Sequence, residues 1–159
     1  MKLRMITVTA VVGLAAAIAT SSSVHATGSD VTRGTFHNFQ AGTDRGYTIS
    51  GHAQMVRRAD GTMLVSIHVE GLTPGLTYGS HVHAAACSAN LADGHYKFAG
   101  PVPGGATTAQ NEIWPGPVTA NGGGIGNGNT TVGAIAGATA VSVVVHDPDG
   151  TKIACADLS

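Results

Sequence analysis

The run Met63-Leu64-Val65-Ser66-Ile67-His68-Val69-Glu70 constrains this chain more than any other stretch. Met63, Val65, Ile67 and Val69 share one face at period two, and Ser66, His68 and Glu70 share the other. That alternation describes a half-buried β-strand. Residues 47–57 supply a partner strand, and Ala59-Asp60-Gly61 a hairpin turn between the two. Gly71-Leu72-Thr73-Pro74-Gly75 is a loop by its punctuation, and a further short strand covers residues 78–84. Residues 99–129 hold nine glycines and four prolines, and read as long loops around one or two short strands. Residues 131–146 are rich in Val and Ala and finish as an apolar strand on His146, where Asp147-Pro148-Asp149-Gly150 turns the chain. Residues 152–158 form the last strand. Residues 27–33 are small and polar and read as frayed. No stretch beyond residue 26 shows a helical period or helix caps. The pattern predicts an all-β chain, an antiparallel sandwich or barrel.

The beginning of the chain follows different rules. Lys2 and Arg4 precede an uncharged, mostly apolar run over residues 5–19, which is short for a bilayer span. Val24-His25-Ala26 then offers the small side chains that signal peptidase accommodates. The expectation is a signal peptide over 1–26 and one domain over 27–159, with an uncleaved anchor as the alternative. No cysteine lies near the cut, which argues against a lipoprotein. Export implies a secreted or periplasmic protein. Of eight basic and nine acidic residues, Lys2 and Arg4 leave with the signal segment, so six against nine gives the remainder a charge of −3. It carries neither a basic patch for nucleic acid nor a basic amphipathic stretch for a membrane surface.

Two cysteines, Cys87 and Cys155, fall in the exported part. An even count in an oxidising compartment reads as a disulfide, with a pair of thiolate ligands as the rival reading.

Seven histidines remain after residue 26. In a strand, His81 and His83 of His81-Val82-His83 point to the same face, about 6.5 Å apart along the chain, and both can reach one ion. His95 follows in Gly94-His95-Tyr96, and His146 stands at a strand end. Four imidazoles without a thiolate suit Cu(II), Zn(II) or Ni(II), and tetragonal nitrogen donors favour copper. His68 alternates with Ser66 and Glu70 and reads as a solvated strand residue. His37 and His52 have no spacing partner.

The order His-x-His, Cys, His, His, Cys resembles that of the copper,zinc superoxide dismutase family. The resemblance runs from about Val65 to Leu158. Its carriers are Gly71-Leu72-Thr73-Pro74-Gly75 ahead of Ser80-His81-Val82-His83, then Cys87, Gly94-His95, Val144-Val145-His146 and Lys152-Ile153-Ala154-Cys155. It implies an eight-stranded Greek-key β-barrel, one copper held by His81, His83, His95 and His146, and a Cys87–Cys155 disulfide. It implies dismutation of superoxide to dioxygen and hydrogen peroxide as copper alternates between Cu(II) and Cu(I).

The departures are as informative. The family's zinc site needs two more histidines and an aspartate downstream of the third copper histidine, and none lies between His95 and His146. The family's long electrostatic loop shrinks here to the eight residues between His146 and Cys155. The chain thus looks like a member of a copper-only subgroup, with no zinc expected and the copper open to solvent. Glu112, in Asn111-Glu112-Ile113-Trp114, is the acid between Asp93 and Asp147 and falls near a lost zinc ligand. It is expected to accept a hydrogen bond from His95. The family's active-site arginine, three before the second cysteine, is replaced by Lys152, a point charge that can still attract an anion. A monomer or weak homodimer is expected. Two other readings stand beside the dismutase: a periplasmic copper buffer without significant turnover, and a sandwich that has lost its metal.

Overall fold

The computed structural model describes residues 29–106 and 110–159, so the expected signal segment lies outside the described residues. Two antiparallel sheets face each other. The first contains β1 (Asp30–Thr35), β3 (Ser50–Arg57), β4 (Met63–Glu70) and β7 (Gly126–Val132), in the order β1-β3-β4-β7. The second contains β2 (His37–Asn38), β9 (Lys152–Asp157), β8 (Ser142–His146), β5 (Thr77–His83) and β6 (Val118–Thr119), in the order β2-β9-β8-β5-β6. The expected all-β class is observed, with nine strands among the described residues, two of them only two residues long. Among the described residues no helix is long and apolar enough to cross a membrane.

The alternation in β4 sets the first sheet. Met63, Val65, Ile67 and Val69 are buried, and they meet Ala53 and Met55 of β3 and Val132 of β7 in the interior. The β3–β4 hairpin closes at Gly61, whose φ of +82° is the left-handed value this turn requires and L-residues resist. In the second sheet, Tyr78, Val82, Val143 and Val145 point to the same core. Burying apolar area of this kind is the main driving force of the fold.

Three local readings need correction. Asp30–Thr35 is not frayed; it forms β1, paired with β3 along its whole length. It is held by backbone hydrogen bonds, by paired amides between Arg33 and Ser159, and by an Arg57–Asp30 ion pair of 3.2 Å. A strand held this way on an edge needs little apolar alternation. A short helix, α1 (Gln40–Asp44), was not foreseen; five residues are too few to display a period. The Val/Ala-rich segment divides: β7 ends at Val132, β8 starts at Ser142, and a glycine-punctuated loop lies between.

Candidate metal centre

Strand register places three of the four histidines of interest. His81 pairs with Val144, His83 with Ser142, and His146 with Gly79 across the β5–β8 ladder. Cross-strand partners share a face, so His81, His83 and His146 stand on one side of the second sheet, opposite the face that carries Val82, Val143 and Val145. That is the outer side, and two loops roof it. The loop after β5 brings His95 back through an isolated bridge to His83, and residues 112–114 close over the other flank. Gly79 contributes by lacking a side chain. A Cβ there would lie 3.7 Å from both His81 Nε2 and His146 Cβ, in the gap between the two rings.

The imidazoles converge. One ligand atom from each of His81, His83, His95 and His146 lies within 4.8 Å of all the others. The His81 ring is 4.1 Å from His95 and 4.6 Å from His146 between centroids. The second nitrogen of each ring decides which atom faces inward. His83 Nδ1 lies 3.2 Å from the Ala92 carbonyl and His146 Nδ1 lies 3.0 Å from the Gly150 carbonyl. Each carbonyl accepts a hydrogen bond, which puts the proton on Nδ1 and leaves Nε2 a lone pair. His95 Nδ1 lies 2.7 Å from Glu112 Oε2, with the same consequence. Three buried nitrogens then have no partner among the described residues: His81 Nδ1, His83 Nε2 and His146 Nε2. Unpaired buried polar atoms are costly and rare, and here three of them point into one cluster. The donor set fits a copper ion, which would take His81 through Nδ1 and the other three through Nε2.

Glu112 receives more than His95. Its Oε2 also accepts from Trp114 Nε1 at 2.9 Å, and its Oε1 lies 3.2 Å from Lys97 Nζ. Burial pushes the Glu112 carboxyl upward. Hydrogen bonds from Trp114, His95 and Lys97 outweigh it and hold the group below the ordinary carboxylate value. Glu112 is therefore an anion at neutral pH. Trp114 lies edge-tilted over His81 with centroids 4.4 Å apart. The site is more enclosed than the shortened loops suggested: His81, His83 and His146 are 9%, 0% and 7% exposed, and the His95 side chain is 29% exposed.

Lys152 does not stand free. Its ammonium donates to the Leu91 carbonyl at 2.9 Å and to the Asp93 carbonyl. Those residues belong to Asn90-Leu91-Ala92-Asp93, four consecutive non-glycines with φ of 48°, 54°, 60° and 41°. Such a left-handed turn costs about 1–2 kcal/mol per residue and needs outside support. Lys152 supplies some, and the turn presents the Ala92 carbonyl to His83. Cys87 and Cys155 form the disulfide, beneath the same loop. On the other flank, Arg45 bridges Asp147 and Asp149, and Tyr47 Oη donates to Asp147 Oδ1 at 2.6 Å. Together they fix the turn that carries the Gly150 carbonyl. Sequence alone gave no sign of Trp114, Arg45 or the left-handed turn at this site.

Burial pushes His81 down to about 3 and His83 to about 4, with neighbouring imidazoles adding to the effect, and burial also lowers His146. In the unfolded chain these groups return toward about 6.5. Between pH 6.5 and 4 the unfolded chain therefore binds protons that the folded one refuses. Stability is full above pH 6.5 and falls as pH drops through this window, by about 1.4 kcal/mol per pH unit for each such histidine at most. Thermal unfolding of chelator-treated protein should show this decline; an unfolding temperature flat from pH 7 to 4 would contradict it.

Solved structures of superoxide dismutase 5 from Candida albicans share this architecture. The Cu(II) form is 21% identical over 82% of this chain and 91% of that one, with a TM-score of 0.56. A variant with one glutamate replaced by alanine is 20% identical over 82% and 88%, with a TM-score of 0.59. The corresponding glutamine variant is 19% identical over 83% and 92%, with a TM-score of 0.60. The chain has the superoxide dismutase fold. No family model and no curated protein matches it.

Proposed function

We propose that the chain is an exported, copper-only superoxide dismutase, and that the signal segment 1–26 directs it out of the cytoplasm. The observation that carries the reading is the set of buried, unpartnered nitrogens on His81, His83 and His146 beside a His95 whose other nitrogen is bound to Glu112. Copper bound there would supply a one-electron couple able to oxidise one superoxide and reduce the next. The chain's own residues do the rest. Four neutral imidazoles hold the ion; Glu112 keeps the His95 proton on Nδ1; Trp114 shields one side of His81; Lys152 places positive charge near the opening. On this reading Glu112, which the family resemblance puts near a lost zinc ligand, takes the place of zinc as the group that orients His95.

The chain has one tryptophan, and it lies against His81. Copper(II) added to the mature protein is expected to quench Trp114 emission, with the quenching complete at one ion per chain, while zinc is not required for turnover. The same samples should consume superoxide. Quenching without superoxide loss would leave a copper-binding protein and remove the enzyme. No quenching at one equivalent would remove the site.

The copper-buffer reading has one observation in its favour: the Lys152 ammonium is already engaged by two carbonyls. Salt dependence separates the two roles. If Lys152 steers the anion, wild-type turnover falls with ionic strength and Lys152→Ala is slower, with a flatter salt slope. Identical slopes would assign Lys152 to holding the loop alone.

A further inference from the structure

A second pair of imidazoles stands apart from this cluster, on the outer face of the first sheet. His52 of β3 and His68 of β4 are direct cross-strand partners. Their strand neighbours Ala53, Met55, Ile67 and Val69 are buried, so both histidines face away from the core, where His52 is exposed and His68 half-buried. The rings lie 5.4 Å apart between centroids, inclined by 31°. His52 makes no side-chain hydrogen bond among the described residues. It also borders an open depression with Arg33, Thr35 and Asp157, which leaves its ring reachable from solvent.

His68 is engaged at both nitrogens, by Asn127 Oδ1 at 2.8 Å and by Glu70 Oε1 at 3.0 Å. Both partners are oxygen acceptors, yet a neutral imidazole carries one N–H. Either the Asn127 amide turns to donate its Nδ2–H, or one of the two contacts holds a second positive species, a proton or a metal ion. Glu70 is held in its charged form by its hydrogen bond from His68, with Ser50 Oγ donating 3.2 Å from Oε2. Two imidazoles and a carboxylate are ligands of borderline divalent ions such as Ni(II), Zn(II) and Cu(II).

We propose that His52, His68 and Glu70 form a second, surface site for a borderline divalent cation. The donors converge less tightly than those of the copper cluster, and rotation of exposed side chains on a fixed sheet would close them on the ion. The site does not depend on the dismutase reading, since it shares no residue with the four-imidazole centre.

The test is a titration of Ni(II) into mature protein carrying a single equivalent of copper, followed by calorimetry and by Trp114 emission. One further ion per chain is expected, with no change in emission. His52→Asn and His68→Asn should each weaken this binding by about tenfold or more while the first copper equivalent still quenches Trp114. Absence of the extra equivalent in wild type would overturn the proposal. Retention of it in the double variant, or a change in Trp114 emission with it, would place the ion elsewhere and overturn it equally.

Discussion

Replacing both Cys87 and Cys155 by alanine is expected to lower the unfolding temperature by roughly 10–20 °C, from a loss of about 4 kcal/mol. The bridge spans a sequence separation of 68, a long closure that the unfolded chain would otherwise explore freely. Both residues are buried, in a cluster with Phe39, Ala92 and Val144, so truncation also removes packing. The effect should reach the metal centre. The loop anchored at Cys87 contains the left-handed turn Asn90-Leu91-Ala92-Asp93, whose backbone prefers to relax. The disulfide, Lys152 and a hydrogen bond from the Cys87 amide to Asp157 hold it. Once it relaxes, the Ala92 carbonyl no longer fixes the tautomer of His83. Copper affinity should therefore fall along with stability, in protein kept well below its new unfolding temperature. A shift of only a few degrees would show that the turn and the core hold themselves.

What the sequence displayed and what it concealed divide along a physical line. β4 was legible because a sheet with one wet face writes its burial as alternation. His81-Val82-His83 was legible because period two puts both rings on one side. Glu112 stood out as the acid between His95 and His146, and the structure puts its carboxylate 2.7 Å from His95. β1 was hidden because a polar edge strand is specified by its ladder with β3. The left-handed turn was hidden because none of its four residues is glycine, the residue by which such turns are usually read. Arg45 and Trp114 were hidden because their partners, Asp147 and His81, lie far along the chain and meet them only after the sheets have formed.

Glu112→Ala is expected to weaken copper binding by about 10–100-fold. The carboxylate determines which nitrogen of His95 carries the proton. Without it the Nδ1 proton has no acceptor, the ring can turn or exchange tautomers, and Nε2 is no longer held toward His81, His83 and His146. The backbone bridges of residue 112 to Lys97 and Ala106 do not involve its side chain, so the segment should keep its course. Loss of the anion also leaves Trp114 Nε1 without its acceptor and Lys97 without its ion pair, a moderate cost to the metal-free fold that thermal unfolding would register separately. Glu112→Gln separates the two functions of the side chain. Its amide oxygen can still accept from His95 Nδ1 and hold the ring, but it brings no negative charge to offset the ion. Competition against a chelator of known affinity should therefore rank wild type above Gln and Gln above Ala, with a Cu(II) spectrum near wild type in Gln and altered in Ala. Equal affinity and an unchanged spectrum in Glu112→Ala would show that the four imidazoles orient themselves, and that the acid takes no part in holding the ion.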